Sequence, residues 1–121
     1  MILFLDDDLN RCDAFKHKVP HAKFVHTAQQ CINILKSEPH WELVCLDHDL
    51  GGEIYVDTER EDCGMEVVRW IVANEPKIDK IIIHSYNSSA AYMMKNLLKD
   101  DGYDVDYVPF SLLLENIREI K

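Results

Sequence analysis

Three short segments of the chain collect the residue types that phosphoryl chemistry uses. Asp6-Asp7-Asp8 follows the apolar run Ile2 to Leu5, Asp47-His48-Asp49 follows Trp41 to Leu46, and His84-Ser85-Tyr86-Asn87 follows Ile81-Ile82-Ile83. Two unit charges about 4 Å apart repel by roughly 4 kcal/mol at an effective dielectric of 20. Carboxylates gathered this densely therefore keep some protons or share a divalent cation. Oxygen ligands suit Mg²⁺ or Mn²⁺, and a nearby imidazole tilts the choice towards Mn²⁺ or a softer metal. The expected metal-binding set is Asp6, Asp7, Asp47 and Asp49, while Asp8 reads as the cap of a following helix. His84 comes directly after an apolar run and His48 one residue beyond another, whereas His17, His21, His26 and His40 read as surface residues. An imidazole titrating near neutrality suits proton transfer to a leaving oxygen, so His84 and His48 join Asp47 as candidate catalytic residues. Arg11 either forks onto a phosphate or pairs with an aspartate. Ser85 and Asn87 are candidate phosphate contacts.

These residues need rigid elements to hold them, and the chain supplies strands and helices in alternation. Strands are expected at Ile2 to Leu5, Lys23 to His26, Trp41 to Leu46, Lys80 to His84 and Asp104 to Val108. Between and after them lie helices over Asn10 to Val19, from Thr27 to Pro39 with capping-box spacing at Thr27 and Gln30, and over Gly64 to Asn74. Ser88 or Ser89 opens a fourth helix and Ser111 a fifth, with Leu112, Leu113, Ile117 and Ile120. The pattern predicts an α/β fold: a five-stranded parallel sheet in order 2-1-3-4-5 with helices on both faces. That order sets the first and third strands side by side, and ligands bind at the carboxyl ends around such a switch point. Gly51 to Asp62 is an acidic loop above the site, a candidate lid or specificity element.

The whole of residues 1–121 reads as one domain, with that loop as an insertion over 51–63. Apolar residues make up 47% of the chain, enough for a globular core. Acidic residues outnumber basic ones by 22 to 13, and the formal charge of −9 opposes a grip on duplex nucleic acid. No apolar run approaches the roughly 20 residues of a membrane span, and the first residues lack a signal-peptide pattern. Cys12, Cys31, Cys45 and Cys63 form no C-x-x-C pair, so reduced thiols in a cytoplasmic protein are expected rather than a zinc site.

The chain resembles a response-regulator receiver domain. In that resemblance Asp6 and Asp7 match the acidic metal pair, Asp47 the phosphoacceptor and Ser85 the Ser/Thr switch residue. Gly64-Met65-Glu66-Val67-Val68 and Pro109-Phe110 are similar to further receiver stretches. Val108 stands where receivers carry the lysine that clamps the phosphoryl group. Leu5-Asp6-Asp7 with Arg11, then Leu46-Asp47-His48-Asp49-Leu50-Gly51, then His84-Ser85-Tyr86-Asn87 resemble a narrower family, the cyclic-phosphate processing receiver domains.

That resemblance implies activity on cyclic phosphates of nucleotides or nucleotide-like compounds. The residues are read the same way, as a metal-dependent phosphohydrolase acting on a cyclic phosphate or small nucleotide phosphodiester. One alternative is a degenerate receiver signalling through phosphorylation of Asp47. The other is a non-catalytic nucleotide binder, with Tyr55, Tyr86 and Tyr92 as stacking residues. The expected partner is a small phosphorylated or nucleotide ligand, and the last strand and helix could support a homodimer.

Overall fold

The apolar runs become the strands of one parallel sheet. They are β1 (Ile2–Leu5), β2 (Lys23–Val25), β3 (His40–Leu46), β4 (Lys77–Ile83) and β5 (Val105–Tyr107), in the order β2-β1-β3-β4-β5. Every neighbouring pair is parallel. The computed structural model describes residues 1–120, with no side-chain description from 118 on, so the expected inward side chain of Ile120 lies outside the described residues.

Successive strand side chains alternate between two cores. Leu3, Leu5, Val44, Leu46, Ile81 and Ile83 pack towards α2 (Ala28–Ser37), α3 (Gly64–Asn74) and α4 (Ser88–Asp100). Ile2, Phe4, Leu43, Cys45 and Ile82 pack towards α1 (Leu9–Lys18) and α5 (Phe110–Ile120). Burial on both faces is why these strands read as unbroken apolar runs rather than alternating ones. All four cysteines are buried free thiols. Among the described residues no helix is long and apolar enough to cross a membrane.

Strand register sets up the site. Leu5 lies opposite Leu46, and Leu46 opposite Ile83. The next residues, Asp6, Asp47 and His84, therefore leave the sheet at one level. The ladder extends one step into them, with the Asp47 amide donating to the Leu5 carbonyl at 3.1 Å and the His84 amide to Leu46 at 3.0 Å.

Asp8 caps α1 as expected, accepting from the amides of Asn10 and Arg11. Thr27 caps α2 through the Gln30 amide, but the Gln30 side chain reaches back to the amide of His26, one residue before the cap. Three expectations are corrected. β4 begins at Lys77, because Lys77 and Ile78 pair with His40 and Trp41. Asn87, rather than Ser88 or Ser89, caps α4 by accepting from the Ala90 amide. α5 already includes Phe110, which places Ser111 inside the helix.

Candidate functional site

The tips of β1, β3 and β4 open into a cleft of about 500 Å³ lined by Asp7, Asp8, Arg11, Asp47, Asp49 and Ser85, with Leu9, Asn10, Gly52, Glu53, Ile54 and Tyr86 completing the wall. Five of the nine expected site residues thus face one space. The other four, Asp6, His48, His84 and Asn87, are buried and form no part of its lining.

Asp6 is fully buried and fully engaged. The Arg11 guanidinium holds it with one edge, Nε to Oδ2 at 2.7 Å and Nη2 to Oδ1 at 2.9 Å. His84 Nε2 lies 3.1 Å from Oδ2, and the Asp8 amide donates to Oδ1. Burial alone would push this carboxyl up, but the bonds from His84 and Arg11 outweigh it and hold the pKa at about 2. The His84 ring is stacked on Phe4 with centroids 4.7 Å apart, so the core grips the imidazole while its edge serves Asp6. His26 also joins this group: its Nδ1 is 2.9 Å from the Asp6 carbonyl oxygen, a contact its place in a turn did not signal.

Of the two sequence alternatives for Arg11, the structure shows the pairing with aspartate. The inner edge of Arg11 pairs with Asp6, while Nη1 stands 3.4 Å from Asp8 and Nη2 stands 3.6 Å from Asp47 Oδ2. Arg11 is part of the cleft wall, and its side chain stays partly exposed. A fork docked on one carboxylate is pre-oriented for a second planar acceptor or a phosphate.

Asp47 lies at the cleft floor and is 4% exposed. Oδ1 accepts from the His48 amide at 2.9 Å, while the buried Oδ2 has no hydrogen-bond partner. Burial raises its pKa to about 6, and the negative charge of Asp6 adds to the rise against the pull of His84 and Arg11. An unpartnered buried carboxylate oxygen costs stability and is explained when something else binds it.

Asp49 behaves differently. It accepts from Tyr55 and Val56 amides at 2.8 and 3.0 Å, from Asn87 Nδ2 at 3.1 Å, and its Oδ1 is 2.8 Å from His48 Nδ1. Its pKa falls, since these bonds overcome partial burial. Asp7 spends Oδ2 on the Gly52 amide. The two acids together tie the Gly51–Asp62 loop over the cleft. From the far side Arg69 donates to the carbonyls of Thr58 and Arg60, both at 2.7 Å. Asn87 is occupied by its helix cap and by Asp49, and the Ser85 hydroxyl accepts from the Asn87 amide while lining the cleft.

The donor set fits a divalent cation in part. Asp6, Asp47 and His84 bring ligand-type atoms within 4.8 Å of one another. Asp6 is saturated by Arg11 and His84, so the carboxylate oxygen left without a hydrogen bond is the buried Asp47 Oδ2, 3.6 Å from Arg11 Nη2, with Asp7 also on the cleft wall. Asp49 has given its oxygens to the loop. Gly64 supports the floor from behind. A Cβ there would run into the Asp47 carbonyl oxygen and stand 2.8 Å from His48 Cα, so α3 approaches β3 only through glycine. The sequence signalled this position only as part of a similar stretch, not as a contact.

No curated protein matches the chain. Two solved structures share its fold. A response regulator from Colwellia psychrerythraea has a TM-score of 0.67 at 15% identity, covering 98% of this chain and 94% of that one. The signal receiver domain of a modulated diguanylate cyclase from Desulfovibrio desulfuricans G20 has a TM-score of 0.61 at 10% identity, covering 98% and 87%. At such identities the likeness speaks for the fold alone. Residues 1–100, which carry all three acidic or imidazole-bearing strand tips, match the family described as the cyclic-phosphate processing receiver domain. With a receiver fold built around those tips, the chain belongs to that family.

Proposed function

We propose that the cleft binds a small phosphorylated ligand together with a divalent cation, Mg²⁺ or Mn²⁺, and opens a cyclic phosphodiester by hydrolysis. The observation that carries this reading is the buried Asp47 Oδ2, which accepts no hydrogen bond, at a cleft whose wall includes Arg11. The family description supports the same substrate class.

The cation, when bound, would neutralise the carboxylates and polarise the phosphoryl group. Asp47 and Asp7 would hold it, and the outer edge of Arg11 would fork onto two phosphate oxygens. Water attacks phosphorus in line and yields a proton to a carboxylate of the lining, one ring P–O bond breaks, and the released oxygen takes a proton in return. Asp47 and Ser85 are among the cleft-lining groups able to pass it, since both imidazoles lie behind the lining. His84 then acts through Asp6 on Arg11, and His48 through Asp49 on the loop, which makes them positioning residues. Incubation with 2′,3′- and 3′,5′-cyclic nucleotides and Mn²⁺ tests the reading. Turnover should fall at least about 100-fold in Asp47→Ala, and no turnover above that variant would sink it.

A second reading is signalling by phosphorylation of Asp47. The receiver fold of both solved neighbours favours it, as does the position of Asp47 at the tip of β3 next to Ser85 on the cleft wall. Val108 in place of lysine weighs against it. Acetyl phosphate labelling of the wild type, absent in Asp47→Asn, would give this reading precedence.

A further inference from the structure

The cleft lining is chemically mixed. Beside the ionic Asp7, Arg11 and Asp47, the lining carries the exposed Leu9, Ile54 and Tyr86, with Asn10 and Glu53 exposed among them. These three side chains are 70%, 80% and 59% exposed and come from the start of α1, the Gly51–Asp62 loop and the β4–α4 turn. Three separate segments thus leave apolar surface in water around one opening. Exposing such side chains forgoes the free energy that burying them would release.

The loop's wall is also held at a cost. Tyr55 adopts φ 52°, left-handed backbone that a tyrosine rarely takes, and its amide is pinned by Asp49 Oδ2. The neighbouring Val56 amide is pinned by Asp49 Oδ1. Asp49 therefore fixes the residues that directly follow Ile54. Tyr92 belongs elsewhere, with its ring against Tyr107 at 5.9 Å.

Charge and size narrow the occupant. Among the described residues Arg11 is the only cation in the lining, against Asp7, Asp8, Asp47, Asp49 and Glu53. A further anionic group in the cleft would meet carboxylates, and a cleft of about 500 Å³ suits a small molecule rather than a folded partner. A flat, uncharged ring satisfies both limits and covers the exposed apolar surface.

We propose that Leu9, Ile54 and Tyr86 form a subsite for an aromatic ring carried by the phosphorylated ligand, and that Asp49 is the positioning residue that sets its loop-borne wall. This rests on the phosphate-binding reading above and names the part of the ligand remote from phosphorus.

Calorimetry with Mn²⁺ and two probes of similar charge, phenyl phosphate and methyl phosphate, tests it. The ring should tighten binding about tenfold. Ile54→Ser and Tyr86→Ala, at exposed positions that threaten no core packing, should each pull that ratio down several-fold, and together towards one. Asp49→Ala should do the same by freeing the wall, while Mn²⁺ affinity measured without phosphate stays within about threefold. Equal affinity for the two probes in the wild type would overturn the subsite while leaving the phosphate reading intact. Loss of Mn²⁺ binding in Asp49→Ala would overturn its positioning role and make it a ligand. Binding of neither probe would overturn the phosphate reading and this inference with it.

Discussion

Two carboxylate–imidazole pairs flank the cleft, and they do different work. Asp6 with His84 is locked into the sheet, stacked on Phe4 and joined to Arg11. Asp49 with His48 reaches outward and spends its remaining capacity on loop amides and Asn87. The first pair fixes the Arg11 guanidinium at the cleft wall. The second holds a wall. Identical chemistry therefore says little about role until the other bonds of each carboxylate are counted.

Asp47 lies between the pairs and shares neither arrangement, and its Oδ2 accepts no hydrogen bond, only the approach of Arg11 Nη2 at 3.6 Å. The comparison can be broken most severely at Gly64, the residue that lets α3 approach Asp47 and His48. Gly64→Ala should cost about 4 kcal/mol in urea unfolding, because the added carbon meets backbone that cannot rotate away. Asp6→Ala comes next. It strands a buried imidazole and a partly exposed guanidinium, and should cost about 3 kcal/mol by the same measurement.

Asp47→Asn should act in the opposite direction. The folded-state pKa of Asp47 is raised to about 6 by burial. A raised carboxyl costs the wild type nothing below its unfolded value near 3.9, and stability is lost as pH rises through about 6. In chelator-containing buffer at pH 7, Asp47→Asn should therefore be about 2 kcal/mol more stable than the wild type, with the difference vanishing near pH 4. A flat difference across that range would show that Asp47 does not carry the buried charge. The mildest effect on global stability is expected for Asp49→Ala, about 1 kcal/mol, since it unties a surface loop. Its signature is local: tryptic cleavage after Arg60, an exposed loop residue, should accelerate at least about tenfold.

Much of this was legible beforehand. The strand order followed from alternating elements and right-handed crossovers, and the three polar tips were visible as places where apolar runs stop. Element ends were less legible. The start of β4 depends on pairing with His40 and Trp41, and the cap of α4 on which side chain reaches Ala90. Both are contacts, which a linear pattern does not contain.

For the site, composition and spacing determined which residues reach the carboxyl edge of the sheet, because strand length and register are written in the apolar runs. Only the tertiary structure decided which of them line the cleft. His84 and Asn87 end their segments with donors pointed at other side chains, and Arg11 presents two edges to two environments. The physical reason is that a side chain's role depends on which of its hydrogen-bonding atoms are already taken. That accounting closes only when residues as distant as Asp6 and His84 are brought into contact.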